Sequence, residues 1–152
     1  MNTQAIVGST IIDGTGSEPV TNGTILIRDG KIVEVGPAGS VVVPPDASPI
    51  DATGKFTMPG IIDSHVHVSP NQDIPEDIRL NLRVGFNAIN TLRQSLGAGV
   101  TTVVSIGGGP PAVELTNAIN EGYVDQCANQ ITAGVVNASG GHVRGIHADG
   151  PW

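Results

Sequence analysis

The sequence predicts an α/β chain: a small all-strand unit over residues 1–57, then a β-α-β-α-β segment over residues 58–152. Three observations point there. An Asp-Gly pair, Asp29-Gly30, sits between two β-branched runs. Residues 77–96 carry apolar side chains at helical spacing. The run 100–106 is apolar or β-branched apart from Ser105, as strands covered on both faces are. Strands that alternate with helices through short connections lie parallel, with right-handed crossovers.

The first unit is built from short strands. Residues 5–12 form an apolar run that ends in the turn cluster Asp13-Gly14-Thr15-Gly16. Residues 24–28 and 31–35 flank Asp29-Gly30, and a two-residue Asp-Gly connection selects a type I′ hairpin because both positions need positive φ. Val41, Val42 and Val43 predict another strand, stopped by Pro44-Pro45. Thr53-Gly54-Lys55 then turns the chain into a strand at 56–58, and several edges of this unit are left unpaired.

The rhythm changes after Pro59-Gly60. Residues 61–68 predict a strand. Ile78, Leu82, Phe86, Ile89, Leu92 and Leu96 follow at gaps of 4, 4, 3, 3 and 4, the period of an amphipathic helix. Gly97 and Gly99 end it, as glycines do at helix C-termini. After the strand at 100–106, Gly107–Gly109 turn the chain and Pro110-Pro111 open a helix, since the first helical turn needs no proline N–H. That helix covers 112–121, packs Leu115, Ala118 and Ile119, and is capped by Gly122; residues 131–138 are the third strand. The glycine-rich tail 139–152 has no period.

Composition narrows the function classes. A chain of 152 residues supports one ordinary domain. Its 21 glycines and 11 prolines signal turns rather than disorder, because apolar runs recur between them. A net charge of −7 and a pI near 4.7 exclude nucleic acid, which requires a basic face. The single cysteine, Cys127, cannot form an internal disulfide and reads as a quiet structural thiol. One cysteine fits a reducing compartment. No signal-peptide pattern stands at the N-terminus, and no apolar run reaches the roughly 18 residues of a membrane helix. The expectation is a cytoplasmic protein with neither a nucleic-acid nor a membrane partner.

The segment MPGIIDSHVHV, residues 58–68, carries the chemistry. Asp63, His65 and His67 are spaced two apart, so on a strand they share one face, here at the end of a strand expected to be buried. Two neutral imidazoles converging on one point suit a divalent metal, with zinc the expected ion. Asp63 has two readings: holding a metal-bound imidazole by a hydrogen bond from behind, or capping a turn. The other two histidines, His142 and His147, follow the third strand. Carboxyl ends of parallel strands share one face, so the two clusters would look into one cleft; otherwise His142 and His147 are plain loop residues. Gly107–Gly109 could cradle an anion at a helix N-terminus, or serve as a strand-to-helix turn.

These motifs together resemble the metal-dependent amidohydrolase superfamily, specifically the N-terminal portion of its imidazolonepropionase-like and Xaa-Pro dipeptidase-like branch. The carriers are the D-G-x-G turn at 13–16, the I-x-D-G-K-I-x-x-V-G hairpin at 27–36 and P-G-I-I-D-S-H-V-H at 59–67. L-G-A-G-V-T-T-V at 96–103, the glycines at 107–109 and S-G-G-H at 139–142 extend it over essentially the whole chain. Relatives of this branch often carry Arg-Asp after T-T-V, where this chain has Val104 and Ser105.

The resemblance implies a (β/α)8 TIM-like barrel preceded by part of a small β-sandwich, with only the first three barrel strands present and the barrel incomplete. It implies that His65 and His67 bind a catalytic divalent metal, which activates water and polarises the scissile carbonyl. Gly107–Gly109 become a plain turn. His142, Arg144 and His147 are implied substrate contacts at the barrel mouth, with Arg144 able to grip a carboxylate by its planar fork. The expected reaction is hydrolysis of C–N bonds in a small amide, cyclic amide or dipeptide. The proton-shuttling aspartate of such enzymes has no counterpart in the chain. The expectation is therefore a fragment without turnover of its own, whose open sheet edge invites a homo-oligomer or a complementing chain. Two other readings stand: a non-catalytic truncated relative or complementing subunit, and a deaminase of the same superfamily.

Overall fold

The computed structural model describes residues 2–68, 78–107 and 109–133. The chain divides into two compact units, Met1–Pro59 and Gly60–Trp152.

In the first unit, β1 (Thr3–Ile11), β2 (Val20–Arg28) and β3 (Lys31–Pro37) form an antiparallel meander. The β2–β3 turn is the expected one: Asp29 and Gly30 both have positive φ, 48° and 76°. Asp29 also anchors the start of β1, its carboxylate accepting the Asn2 N–H while its own N–H donates to the Asn2 carbonyl, both at 2.9 Å. β4 (Ser48–Asp51) and β5 (Phe56–Thr57) pair in parallel with successive stretches of β1, giving the order β3-β2-β1-β4. A register shift between Val7 and Ser9 marks a bulge at Gly8, whose φ is +84°. A Cβ there would stand 2.6 Å from the Thr53 hydroxyl. The core is small: Ala5, Leu26 and Val41, with Val7 packed against them.

One predicted strand is corrected. Residues 41–43 are not a strand; the strand beside β1 is Ser48–Asp51. Val41 leaves the ladder and fills the core instead. Among the described residues β4 pairs with β1 alone, and an edge strand tolerates Pro49, which cannot donate to the ladder.

In the second unit, β6 (Ile61–Val66), β7 (Val100–Ile106) and β8 (Asn129–Ala133) form a parallel sheet in sequential order. The helix α1 (Ile78–Gly97) joins β6 to β7, and α2 (Gly109–Asn120) joins β7 to β8. Gly60 permits the close pass of the chain over Thr101, whose side chain a Cβ would strike. Gly122, at φ +79°, ends α2: its N–H donates to Ile119 and that of Tyr123 to Ala118, at 3.1 and 2.9 Å. This paired closure satisfies carbonyls the helix would otherwise leave open.

Leu92 of α1, Val103 of β7 and Ala128 form the core, with Val66, Val68, Val100, Leu115, Ile119 and Cys127 around them. The predicted α1 stripe packs only in part. Of the stripe, Leu92 is buried, whereas Leu82, Phe86 and Leu96 are exposed; Ala88, off the stripe, is buried as well. The strand β6 is also corrected: it was expected to be buried, and Ile62 is 65% exposed. Among the described residues it pairs only with β7, and Ile61 and Ile62 have no apolar layer packed over them.

Candidate functional site

His65 is next to last in β6 and His67 follows the strand's last residue, Val66. Val66 and Val68 pack into the Leu92–Val103–Ala128 core. Alternation from Val66 to Val68 then sends His67 to the opposite face of the sheet. The two rings meet edge to face, their centroids 5.3 Å apart and their planes at 76°.

The His67 ring is tied from behind. Its Nδ1 lies 2.8 Å from the Ile106 carbonyl oxygen. A carbonyl only accepts, so Nδ1 carries the hydrogen and the lone pair of the neutral ring sits on Nε2. One residue further, the Val68 N–H donates to Ser105 Oγ at 3.4 Å, and Ser105 is fully buried. The chain leaving β6 is thus fastened twice to the last two residues of β7. Neither fastening is legible in the sequence: a carbonyl acceptor has no side-chain signature, and Ser105 stands out only as the residue of its strand that is neither apolar nor β-branched.

Of the two readings of Asp63, the structure shows the turn cap. Its Oδ1 accepts the His65 backbone N–H at 3.1 Å, the turn-capping role. A register shift between Asp63 and Val66 puts an extra residue into β6. A bulge of this kind breaks strict alternation, so the phase expected from Asp63 to His67 does not carry through.

The arrangement brings two imidazole rings side by side. Both histidines are exposed, and among the described residues no group of three or more His, Cys, Asp or Glu stands together as an ion site. The orientation of His67, with its back nitrogen occupied by a carbonyl, is how metal-bound imidazoles are held. The donor pair therefore fits part of a metal site and is one short of the three protein ligands usual for catalytic zinc. His142, Arg144 and His147 lie outside the described residues. No helix among the described residues is long and apolar enough to cross a membrane.

No protein-family model matches the chain. Individual proteins do. An L-hydantoinase of Paenarthrobacter aurescens is 35% identical over 91 residues, 59% of this chain and 18% of that protein. A dihydroorotase of Anaeromyxobacter dehalogenans is 36% identical over 108 residues, 65% of this chain and 24% of that protein. Among solved structures, molinate hydrolase superposes with a TM-score of 0.74 at 31% identity, covering 87% of this chain and 30% of its own. The matches also take in an imidazolonepropionase of Stenotrophomonas maltophilia, 40% identical over 57 residues, and a Xaa-Pro dipeptidase that shares the fold at 24% identity. The chain spans about a quarter or less of the curated relatives it matches, 18% and 24% in the first two.

Proposed function

The chain belongs to the amidohydrolase superfamily over the region it shares with these relatives, and from that premise we propose that it is the N-terminal portion of a metal-dependent hydrolase of C–N bonds. The substrate class is a small amide, cyclic amide or dipeptide. Residues 1–57 are then part of the β-sandwich, and residues 58–152 begin the (β/α)8 barrel.

The observation that carries the reading is the pairing of His65 and His67, rings 5.3 Å apart, with Nδ1 of His67 bonded to the Ile106 carbonyl. These two side chains would hold a divalent metal, with zinc the ion their chemistry suits. Such an ion, when bound, lowers the pKa of a coordinated water toward neutrality and polarises a carbonyl. The chain's own part is to fix the donors: the Ile106 carbonyl sets the His67 tautomer, and the Asp63 carboxylate fixes the His65 backbone. His142, Arg144 and His147 are assigned to substrate contact. Two protein ligands do not complete a catalytic zinc site, so the 152-residue chain by itself has no turnover.

A second reading, a non-catalytic chain completed by a partner, is favoured by the exposed Ile61 and Ile62 on β6 and Phe86 on α1, apolar surface of the kind that marks interaction sites.

The test is calorimetric titration of the metal-free chain with Zn2+ and Co2+, beside hydrolysis assays on hydantoin and dihydroorotate. Binding at one site, abolished in both His65→Ala and His67→Ala and unaccompanied by hydrolysis, is expected. Zinc affinity unchanged in both variants would remove the metal assignment.

A further inference from the structure

We propose that Ser105 is a positioning residue for His67, holding the chain beyond β6 so that the ring keeps its Nδ1–H on the Ile106 carbonyl. The metal ion rests on the function proposed above; the ring orientation does not.

The paired register of β6 with β7 ends at Val66 opposite Ser105. Past that point the ladder no longer holds the peptide between His67 and Val68. The Val68 side chain rests against the apolar core, and two hydrogen bonds fix the backbone and the His67 ring. Ile106, the last residue of β7, takes the His67 Nδ1–H on its carbonyl at 2.8 Å. Ser105, one residue earlier, takes the Val68 N–H on its hydroxyl at 3.4 Å. The two acceptors are adjacent in the chain, as are the two donors, so the four residues form a short clamp.

The hydroxyl is out of place on packing grounds alone. Ser105 is fully buried on the strand that carries Val103 into the apolar core. A buried hydroxyl is unfavourable there unless it is bonded, and alanine would fill nearly the same space without that penalty. Its bond is to the residue next to His67. The function of the serine is therefore orientation rather than filling.

The experiment compares the full chain with Ser105→Ala, Ser105→Thr and Ser9→Ala. Ser9 is a fully buried serine of the other unit, and its Oγ has no partner among the described residues; it controls for the loss of any buried hydroxyl. Imidazole 15N shifts at a pH where the rings are neutral report the tautomer, hydrogen exchange reports the Val68 amide, and calorimetry reports Zn2+ affinity. In the parent His67 is expected as the Nδ1–H tautomer. Ser105→Ala is expected to mix the tautomers, to speed Val68 exchange, and to weaken Zn2+ on the order of 10-fold. Ser105→Thr keeps the hydroxyl and restores all three, and Ser9→Ala changes none. An Nε2–H tautomer in the parent overturns the proposal, as does a Ser105→Ala variant with parental tautomer and exchange. If tautomer and exchange respond to Ser105→Ala while Zn2+ binds neither protein, the positioning role stands and the metal assignment falls.

Discussion

The carboxylate of Asp63 is hydrogen-bonded to the backbone amide of His65, two residues on, at 3.1 Å. This bond sits where β6 gains its extra residue, so it holds the bulge from which His65 projects. Asp63→Asn keeps an acceptor oxygen at the same place. Stability and Zn2+ affinity close to the parent are expected. Asp63→Ala removes the acceptor, and a loss of roughly 0.5–1 kcal/mol is expected for an exposed bond of this kind. Denaturant unfolding and metal titration of the two variants check this. A fall in Zn2+ affinity in the Asn variant as large as in the Ala variant would show that the charge, not the cap, matters.

The hairpin turn gives a sharper stability test. Gly30 has φ +76° and open space where a Cβ would stand, so a substitution there meets no clash and only the backbone is strained. Gly30→Ala is expected to lower stability by roughly 1–2 kcal/mol, the penalty of a left-handed conformation for an L-residue. Asp29→Asn, with a side chain that tolerates positive φ, is expected to cost far less. Equal unfolding midpoints for Gly30→Ala and the parent would mean that the turn relaxes to another type.

What the sequence made legible was local. The turn at Asp29-Gly30 needed only its own residues, and β7 begins and ends where its apolar run does, at Val100 and Ile106. The adjacency of His65 and His67 followed from spacing alone. What was hidden depended on distant chain. Val41–Val43 has the composition of a strand, but β1 pairs instead with the proline-bearing β4. The α1 stripe could not reveal that Leu92 meets Val103 while Phe86 meets solvent. The bulge after Asp63 arises from its register against β7, and the hold on His67 comes from a backbone carbonyl 39 residues away.

At the Asp13-Gly14-Thr15 turn the electrostatics are testable by pH. The Thr15 backbone N–H, and after it the Thr15 hydroxyl, hold the Asp13 carboxyl below its ordinary value of 3.8, through bonds of 2.9 and 2.7 Å. A carboxyl whose folded pKa is depressed contributes stability that is fully present above the unfolded value, and lost as pH falls through the folded one. The window therefore lies below about pH 4, the ordinary carboxylate range. Thr15→Val deletes the hydroxyl and leaves the N–H, so the Asp13 carboxyl is expected to titrate higher than in the parent and still below the ordinary value. Carbon-detected titration of the two proteins checks it; identical curves would assign the whole effect to the backbone.

The two ends of α1 provide a paired test of where the second unit holds together. Leu92 is 0% exposed and packs on Val103 and Ala128, whereas Leu82, on the same predicted stripe, is 56% exposed. Leu92→Ala both withdraws apolar area and leaves a cavity, and a loss of roughly 2–5 kcal/mol is expected. Leu82→Ala is expected to change stability by no more than about 0.5 kcal/mol. Both described helices belong to the second unit, so urea unfolding followed by circular dichroism at the helical band reads that unit and not the first. Since Val68, next to His67, packs against the cluster that contains Leu92, the Leu92→Ala protein should also bind Zn2+ less tightly than the Leu82→Ala protein. If Leu82→Ala proves the costlier change, the N-terminal half of α1 is covered in solution by chain that packs against its exposed face.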